Sequence, residues 1–255
     1  MQGAVTLDCA DGIAELVIDR PAKHNAVTPE MARQFAGHVR RINEDDAVRA
    51  VLLRGAGERA FCAGSDLNAL AAYPTAWHFR NRVEYAAEIR LLRKPVVAAL
   101  QGWTLGGGAE LALGADLRVA AEGTRIGFPE VERGWVGGGG ASQLLPRLVG
   151  QAAAALLLLL LEAAEAAEAL RLGLVHEVVP PAGLLPRARA LAARLAGFSP
   201  VAVQAVKASL RMAMEAPLTA GLAYENEMNV LCFSAGDHLE GIRAFNEKRP
   251  AAFTR

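Results

Sequence analysis

Short apolar runs alternate with amphipathic stretches along most of the chain. The apolar runs predict buried strands at 13–18, 50–54, 95–100, 116–120 and 174–179. The stretches between them place apolar residues three or four positions apart, which is typical of helices that pack one face against a sheet. Because strands and helices alternate, we predict an α/β core in which the strands pair mostly in parallel.

Local signals indicate where several elements begin and end. Asp11-Gly12 lies between two apolar runs and predicts a hairpin turn. Thr28 followed by Pro29 predicts the start of a helix that continues to about residue 43. Residues 77–92 predict one further helix, which Pro95 stops before the next strand.

The C-terminal part of the chain predicts helices alone, at 184–196, 200–212, 218–233 and 239–246. We place the boundary near Gly197, so that residues 1–197 form the α/β core and residues 198–255 form a helical region. We expect this region to mediate self-association, because its helices are amphipathic and follow the last strand.

A segment of unusual composition, 152–169, contains almost only Ala, Leu and Glu, with six consecutive leucines at 156–161. Six leucines in a row cover every face of a helix, so some must point outward unless another subunit covers them. Either the segment is an unusually buried helix, or the written sequence only approximates it. We assign no function to it.

Composition narrows the classes of function. The 255 residues carry 27 basic and 27 acidic side chains, a balance that gives no reason to expect a nucleic acid or an acidic membrane surface as partner. The three cysteines are widely spaced and the five histidines lack metal-ligand spacing, so we expect a reducing compartment and no metal. No signal peptide or membrane span is apparent, and we expect a cytoplasmic protein.

The segment 100–114 is the first candidate for chemistry. An apolar strand ends there, three glycines (Gly106–Gly108) follow, and a helix begins that carries Glu110. Glycines at such a turn let the backbone approach a ligand, and the free N–H groups of the helix start can stabilise negative charge on an oxygen. The alternative is that the glycines only allow tight packing of helix on sheet. The spacing matches no phosphate-binding fingerprint.

Three motifs in order carry a family resemblance, at 61–67, 101–112 and 126–134. With them the chain resembles the enoyl-CoA hydratase/isomerase (crotonase) superfamily, most closely an enoyl-CoA hydratase, and the similarity covers nearly the whole chain. The resemblance implies a crotonase-like spiral of ββα units with a helical C-terminal region. It also implies a homotrimer or a homohexamer built as a dimer of trimers.

The resemblance also implies four catalytic positions. The main-chain N–H groups of Ser65 and Gly107 would hold the oxygen of a thioester enolate. Glu110 would activate water and Glu130 would supply the proton to the α-carbon. For Glu130 alone, the alternative is a carboxylate that stabilises a helix N-terminus.

Further residues would line the path of the coenzyme A moiety, as in relatives: Ala63, Gly64, Asp66, Leu67 and Asn68. For Asp66 a helix N-cap is the alternative, and one residue can do both. Trp103 and Trp135 flank the motif loops, where they either shape the acyl pocket or serve ordinary packing.

The implied activity is the addition of water across the double bond of a 2-enoyl-CoA thioester. Alternatives are an enoyl-CoA isomerase or another acyl-CoA enzyme of this family, and a non-catalytic acyl-CoA-binding protein. No metal or redox cofactor is implied, since coenzyme A arrives as part of the substrate.

Overall fold

The computed structural model describes residues 3–160 and 162–253. Its strands are β1 (Ala4–Ala10), β2 (Ile13–Asp19), β3 (Ala50–Gly55), β4 (Ala60–Cys62), β5 (Val96–Leu100), β6 (Trp103–Leu105), β7 (Leu117–Ala121), β8 (Arg125–Gly127), β9 (Ala164–Glu165) and β10 (Glu177–Val179). Its α-helices are α1 (Pro29–Glu44), α2 (Leu67–Ala71), α3 (Ala76–Arg80), α4 (Tyr85–Glu88), α5 (Gly107–Leu113), α6 (Ala141–Val149), α7 (Gln151–Leu159), α8 (Ala166–Arg171), α9 (Leu184–Ala196), α10 (Pro200–Ala213), α11 (Leu218–Ala235) and α12 (Asp237–Glu247).

Two sheets form the core. The larger has the order β1-β2-β3-β5-β7-β10, and only its β1–β2 pair is antiparallel. The smaller has the order β4-β6-β8-β9 and is parallel except for β8–β9. The α/β prediction is confirmed.

The central strands of the larger sheet are covered on both faces. Every residue of β5 is buried, as are all but one of β3. One face packs in a core cluster with α1 and α5, and the other packs against the alanine-rich side of α9. Burial on both faces explains why these strands read as continuous apolar runs rather than as alternating patterns.

The predicted element ends agree with the structure in two places. Asp11 and Gly12 have φ angles of 52° and 75°, as a two-residue hairpin turn requires. Thr28 accepts a hydrogen bond from Met31 N and caps α1, with Pro29 in its first turn.

The prediction of one helix over 77–92 is wrong. The structure has α3, α4 and a single 3-10 turn at 89–91 instead. Asn81 ends α3, and its carboxamide donates to the carbonyl of Trp77. The chain then turns so that Arg82 and Glu84 pair with each other in a half-buried position. The turn also brings Tyr85 and Ala86 into the core, a tertiary contact that local periodicity could not reveal.

The leucine-rich segment is not a buried helix, so that interpretation is wrong. Of α7 only Ala154 and Leu157 are buried, and the helix ends at Leu159. Leu159 and Leu160 are exposed to 67% and 63%. Leu161, the last of the six leucines, lies outside the described residues.

The C-terminal helices α10, α11 and α12 follow Gly197 as predicted. None of the residues of α11 is buried, and exposed apolar side chains on α11 and α12 include Leu218, Leu222, Phe233 and Phe245. The predicted boundary falls between α9 and α10; whether 1–197 and 198–255 are separate domains stays a prediction, and both ends (1–2 and 254–255) lie outside the described residues. Among the described residues, no helix has the length and apolar character needed to cross a membrane.

The loop between β2 and α1 fixes the segment after β4. Asn25 is 1% exposed, and its Nδ2 lies 2.9 Å from the carbonyl oxygens of both Ala56 and Ala60. Next to it, Ala63 N donates to His24 O at 2.9 Å and Val27 N donates to Gly64 O at 2.8 Å. These contacts hold the 60–66 segment in one conformation, because buried backbone groups cannot form hydrogen bonds with water instead.

Asn25→Asp should therefore destabilise the protein strongly. A carboxylate only accepts hydrogen bonds, so it would face the Ala56 and Ala60 carbonyls without a donor. We expect the free energy of unfolding to fall by about 2–4 kcal/mol, measured by urea denaturation. The matched control is Asn43→Asp, whose carboxamide also donates to a carbonyl but at an exposed position. Equal losses for both variants would contradict this role of Asn25.

Candidate active site

A cleft of about 250 Å³ opens between the end of β4, the start of α5 and the loop after β8. Seven of the nine predicted site residues line it: Ala63, Gly64, Ser65, Leu67, Gly107, Glu110 and Glu130. A larger groove of about 650 Å³ lies beside the β1–β2 turn and α9, and none of the predicted site residues lines it.

Asp66 and Asn68 do not line the cleft. Asp66 caps α2 by accepting hydrogen bonds from the N–H groups of Asn68 and Ala69, and it forms an ion pair with Arg20 at 2.7 Å. The hydrogen bond from Arg20 lowers the pKa of Asp66. Asn68 is exposed on α2. The N-cap alternative for Asp66 is thus confirmed.

Two backbone segments meet at unusually short range beneath the cleft. A Cβ atom on Gly64 would stand 3.1 Å from Leu105 O and 3.2 Å from Gly107 N. A Cβ on Gly108 would overlap the carbonyl of Cys62. Gly64 also has a φ of 91°, which side chains disfavour. Only glycine permits this approach.

The N–H groups of Ser65 and Gly107 lie on these two segments. Ser65 follows Gly64, and Gly107 is the first residue of α5, where N–H groups have no partner within the helix. Within the described part of the chain, neither N–H donates a hydrogen bond. Since Ser65 and Gly107 both line the cleft, a negatively charged oxygen there could accept from both.

Glu110 projects from the first turn of α5 and is 2% exposed. Its Oε1 accepts a hydrogen bond from Ala141 N, at the start of α6, at 2.9 Å. A Cβ on Gly137 or Gly139 would clash with this carboxylate. The four-glycine run before α6 therefore wraps around Glu110, a role that the sequence did not reveal.

Glu130 approaches the cleft from the loop after β8. Its Oε1 would be 2.8 Å from a Cβ on Gly106, so the carboxylate lies directly over the glycine turn. Burial raises the pKa of Glu130, and the charge of Glu110 raises it further. Its neighbour Glu132 is exposed, lies 3.6 Å from Arg133 and is not among the cleft residues.

Several cleft residues were missed by sequence reasoning. Arg82 donates to Glu84 at 2.5 Å, and its guanidinium lies 3.9 Å from the centre of the Phe79 ring. Phe79 in turn packs against Trp135, with ring centres 5.3 Å apart. Burial raises the pKa of Glu84, although Arg82 opposes the shift. These side chains belong to no recognisable motif, and most of them lie in a stretch that was predicted as an ordinary helix.

The two tryptophans have different surroundings. Trp135 lines the cleft, whereas Trp103 lies outside it and packs near the guanidinium of Arg125 at 5.3 Å. Only Trp135 is placed to contact an acyl group. Across residues 3–160 and 162–253, no group of three or more His, Cys, Asp or Glu side chains could hold a metal ion.

Known proteins of one family match nearly the whole chain. The family model described as enoyl-CoA hydratase/isomerase matches residues 8–255. The short-chain-enoyl-CoA hydratase of Clostridium acetobutylicum is 36% identical over 248 residues, covering 96% of this chain and 95% of that protein. The crotonyl-CoA hydratase of Syntrophomonas wolfei is 36% identical over 253 residues, covering 98% of this chain and 97% of that protein.

Solved structures agree in fold. The crystal structure of an enoyl-CoA hydratase from Bacillus anthracis superimposes with a TM-score of 0.90 at 33% identity, and the match covers 98% of each chain. A second structure, an enoyl-CoA hydratase subunit from Geobacillus kaustophilus, gives a TM-score of 0.92 with the same identity and coverage.

The carboxyl of Glu130 should titrate above the ordinary glutamate pKa of about 4.3. Glu110→Gln should lower this pKa, because one nearby negative charge disappears, without restoring the ordinary value, because burial remains. Infrared difference spectra of the protonated carboxyl band, with Glu130→Gln as the reference, measure both values. A wild-type Glu130 that titrates at or below the ordinary value would contradict the burial of this side chain.

Proposed function

Because the chain belongs to the enoyl-CoA hydratase/isomerase (crotonase) family, we propose that it is an enoyl-CoA hydratase, which adds water across the double bond of a 2-enoyl-CoA thioester. The family and the crotonase-type fold expected from the sequence are confirmed. The observation that carries the function is that one cleft is lined by the carboxylates of Glu110 and Glu130 and by two main-chain N–H groups that donate no hydrogen bond within residues 3–160 and 162–253.

We assign the N–H groups of Ser65 and Gly107 to the thioester oxygen. When a nucleophile attacks the β-carbon of the enoyl group, electrons move onto this oxygen and form an enolate. Two preorganised donors stabilise that charge, and loss of one such donor typically costs about 2.7–4 kcal/mol in the transition state. The close approach of Gly64 and Gly107 supports this assignment.

We assign Glu110 as the base that takes a proton from water. Its Oε1 is held by Ala141 N, whereas its Oε2 accepts no hydrogen bond among the described residues and can receive the proton. The hydroxyl oxygen then bonds to the β-carbon. The fixed orientation of Glu110 supports this role, since a base must lie within hydrogen-bond reach of the proton.

We assign Glu130 as the acid that protonates the α-carbon. The enolate collapses as this proton is delivered, so the thioester carbonyl is restored and both atoms of the former double bond are saturated. The raised pKa of Glu130 supports the role, because a carboxyl that keeps its proton to higher pH is a better acid catalyst at neutral pH.

The remaining assignments follow from the same proposal. Ala63, Gly64 and Leu67 contact the acyl-CoA, while Asp66 and Asn68 support the segment from outside the cleft. The reaction needs no metal or redox cofactor, because the carboxylates and N–H groups supply proton transfer and charge stabilisation. A cytoplasmic location stays a prediction.

Glu110→Gln and Glu130→Gln should each lower kcat by about 10²-fold or more, because each removes one proton-transfer group from the cleft. Loss of conjugated absorbance of crotonyl-CoA measures the rate. The matched control is Glu132→Gln, which changes an exposed carboxylate of the same loop and should leave kcat unchanged. Activity within twofold of wild type would remove the altered glutamate from the mechanism.

We further propose that the protein forms homotrimers or homohexamers through its C-terminal helices. Large apolar side chains of α11 and α12 are exposed, such as Phe245 at 82%, and a second copy would bury them. Light scattering at micromolar concentration should give a mass three or six times that of the 26.9 kDa chain. A stable monomer would contradict this proposal.

A further inference from the structure

Tyr85 lies directly behind the two proposed donors, at the start of α4. The side chain is 3% exposed and does not line the cleft. Its Oη lies 3.4 Å from Ser65 Oγ, within hydrogen-bond distance. A Cβ built on Gly107 would overlap the same Oη. One hydroxyl group thus touches both segments that carry the donors.

The contact explains why residue 107 is a glycine. Its φ lies outside the left-handed region, so its backbone conformation suits any residue. After Tyr85, the nearest obstacle to a Cβ is Gly64 Cα at 3.8 Å, which is ordinary van der Waals contact. Gly108 differs, because backbone atoms of Cys62 block its Cβ. The Tyr85 side chain alone excludes a side chain at Gly107.

We propose that Tyr85 is a positioning residue for hydration. Its hydroxyl lies against both Ser65 and Gly107 and sets the distance between their N–H groups. This proposal rests on the proposed function, in which those two N–H groups bind the enolate oxygen. Donors act best at 2.7–3.1 Å from that oxygen, so a small change in their separation weakens one of them.

The Tyr85 hydroxyl is suited to keep the two segments at a fixed distance. Burial raises the pKa of Tyr85 well above its usual range, so the group stays protonated and neutral at working pH. A neutral group avoids placing a further negative charge beside the developing enolate. Tyr85 never contacts the reacting atoms, which is why it positions rather than catalyses.

Three single variants begin the test of the proposal. Gly107→Ala should lower kcat by about 10²-fold, because its Cβ and the Tyr85 hydroxyl cannot both fit and one donor moves. Tyr85→Phe alone should lower kcat by only a few-fold, since it removes one neutral hydrogen bond and a contact. Ser65→Ala keeps the main-chain donor and should also cost only a few-fold.

The decisive variant is Tyr85→Phe combined with Gly107→Ala. Removing the hydroxyl makes room for the Cβ, although ring atom Cζ remains 3.1 Å away. The double variant should therefore recover at least tenfold in kcat over Gly107→Ala, with little change in KM. Tyr85→Phe should give no such recovery to Gly108→Ala, whose clash is with the Cys62 backbone. Melting temperatures identify any variant that loses activity through unfolding.

A second readout separates this proposal from the proposed function. A 4-(dimethylamino)cinnamoyl-CoA thioester absorbs at longer wavelength as hydrogen bonds polarise its carbonyl. The shift on binding should shrink in Gly107→Ala and return in the double variant, whether or not hydration occurs. Hydration absent from wild type would overturn the function alone. A double variant no better than Gly107→Ala in both readouts would overturn the role of Tyr85.

Discussion

The site depends on one steric constraint: two backbone segments approach closer than any side chain would allow. A Cβ on Gly64 would lie only 3.1 Å from Leu105 O and 3.2 Å from Gly107 N, and a Cβ on Gly108 would overlap the Cys62 carbonyl. The approach brings two free N–H groups to the same cleft, although more than 40 residues separate them in sequence. The same packing therefore creates the site that we propose for the enolate oxygen, where the loss of one donor typically costs about 2.7–4 kcal/mol in the transition state.

Other contacts in the core hold this approach in place. On one side, the Asn25 carboxamide donates to the carbonyl of Ala60 and fixes β4. On the other side, Ala141 N donates to the Glu110 carboxylate and fixes α5 against the glycine run before α6. Such arrangements violate local preferences: glycines stand where helix or strand formers would stabilise, and a carboxylate is 2% exposed. Violations of this kind concentrate where a structure serves function rather than stability.

Features that neighbouring residues determine could be predicted from the sequence, whereas contacts between distant residues could not. The Asp11-Gly12 turn, the Thr28 cap and the buried strands were predicted because propensity and neighbours in the sequence determine them. The break of the 77–92 segment was not, because it brings Tyr85 and Ala86 into the core, and that packing forms only in the folded protein. For the same reason the sequence marked Glu110 and Glu130, which lie in recognisable motifs, but gave no sign of Tyr85. The assignment of Asp66 to the cleft came from the motif, whereas its carboxylate is occupied by Arg20 and the start of α2.

The three carboxylates that line the cleft have different surroundings. Glu110 accepts a hydrogen bond from Ala141 N, whereas Glu130 lies over the glycine turn, where burial raises its pKa. Glu84 brings a third carboxylate, and Arg82 keeps it paired at 2.5 Å. Burial and the negative charge of Glu110 raise the pKa of Glu84, and the positive charge of Arg82 opposes this shift. Two of the three carboxylates are thus each held by a donor from outside their own turn, Glu110 by a main-chain N–H and Glu84 by a guanidinium.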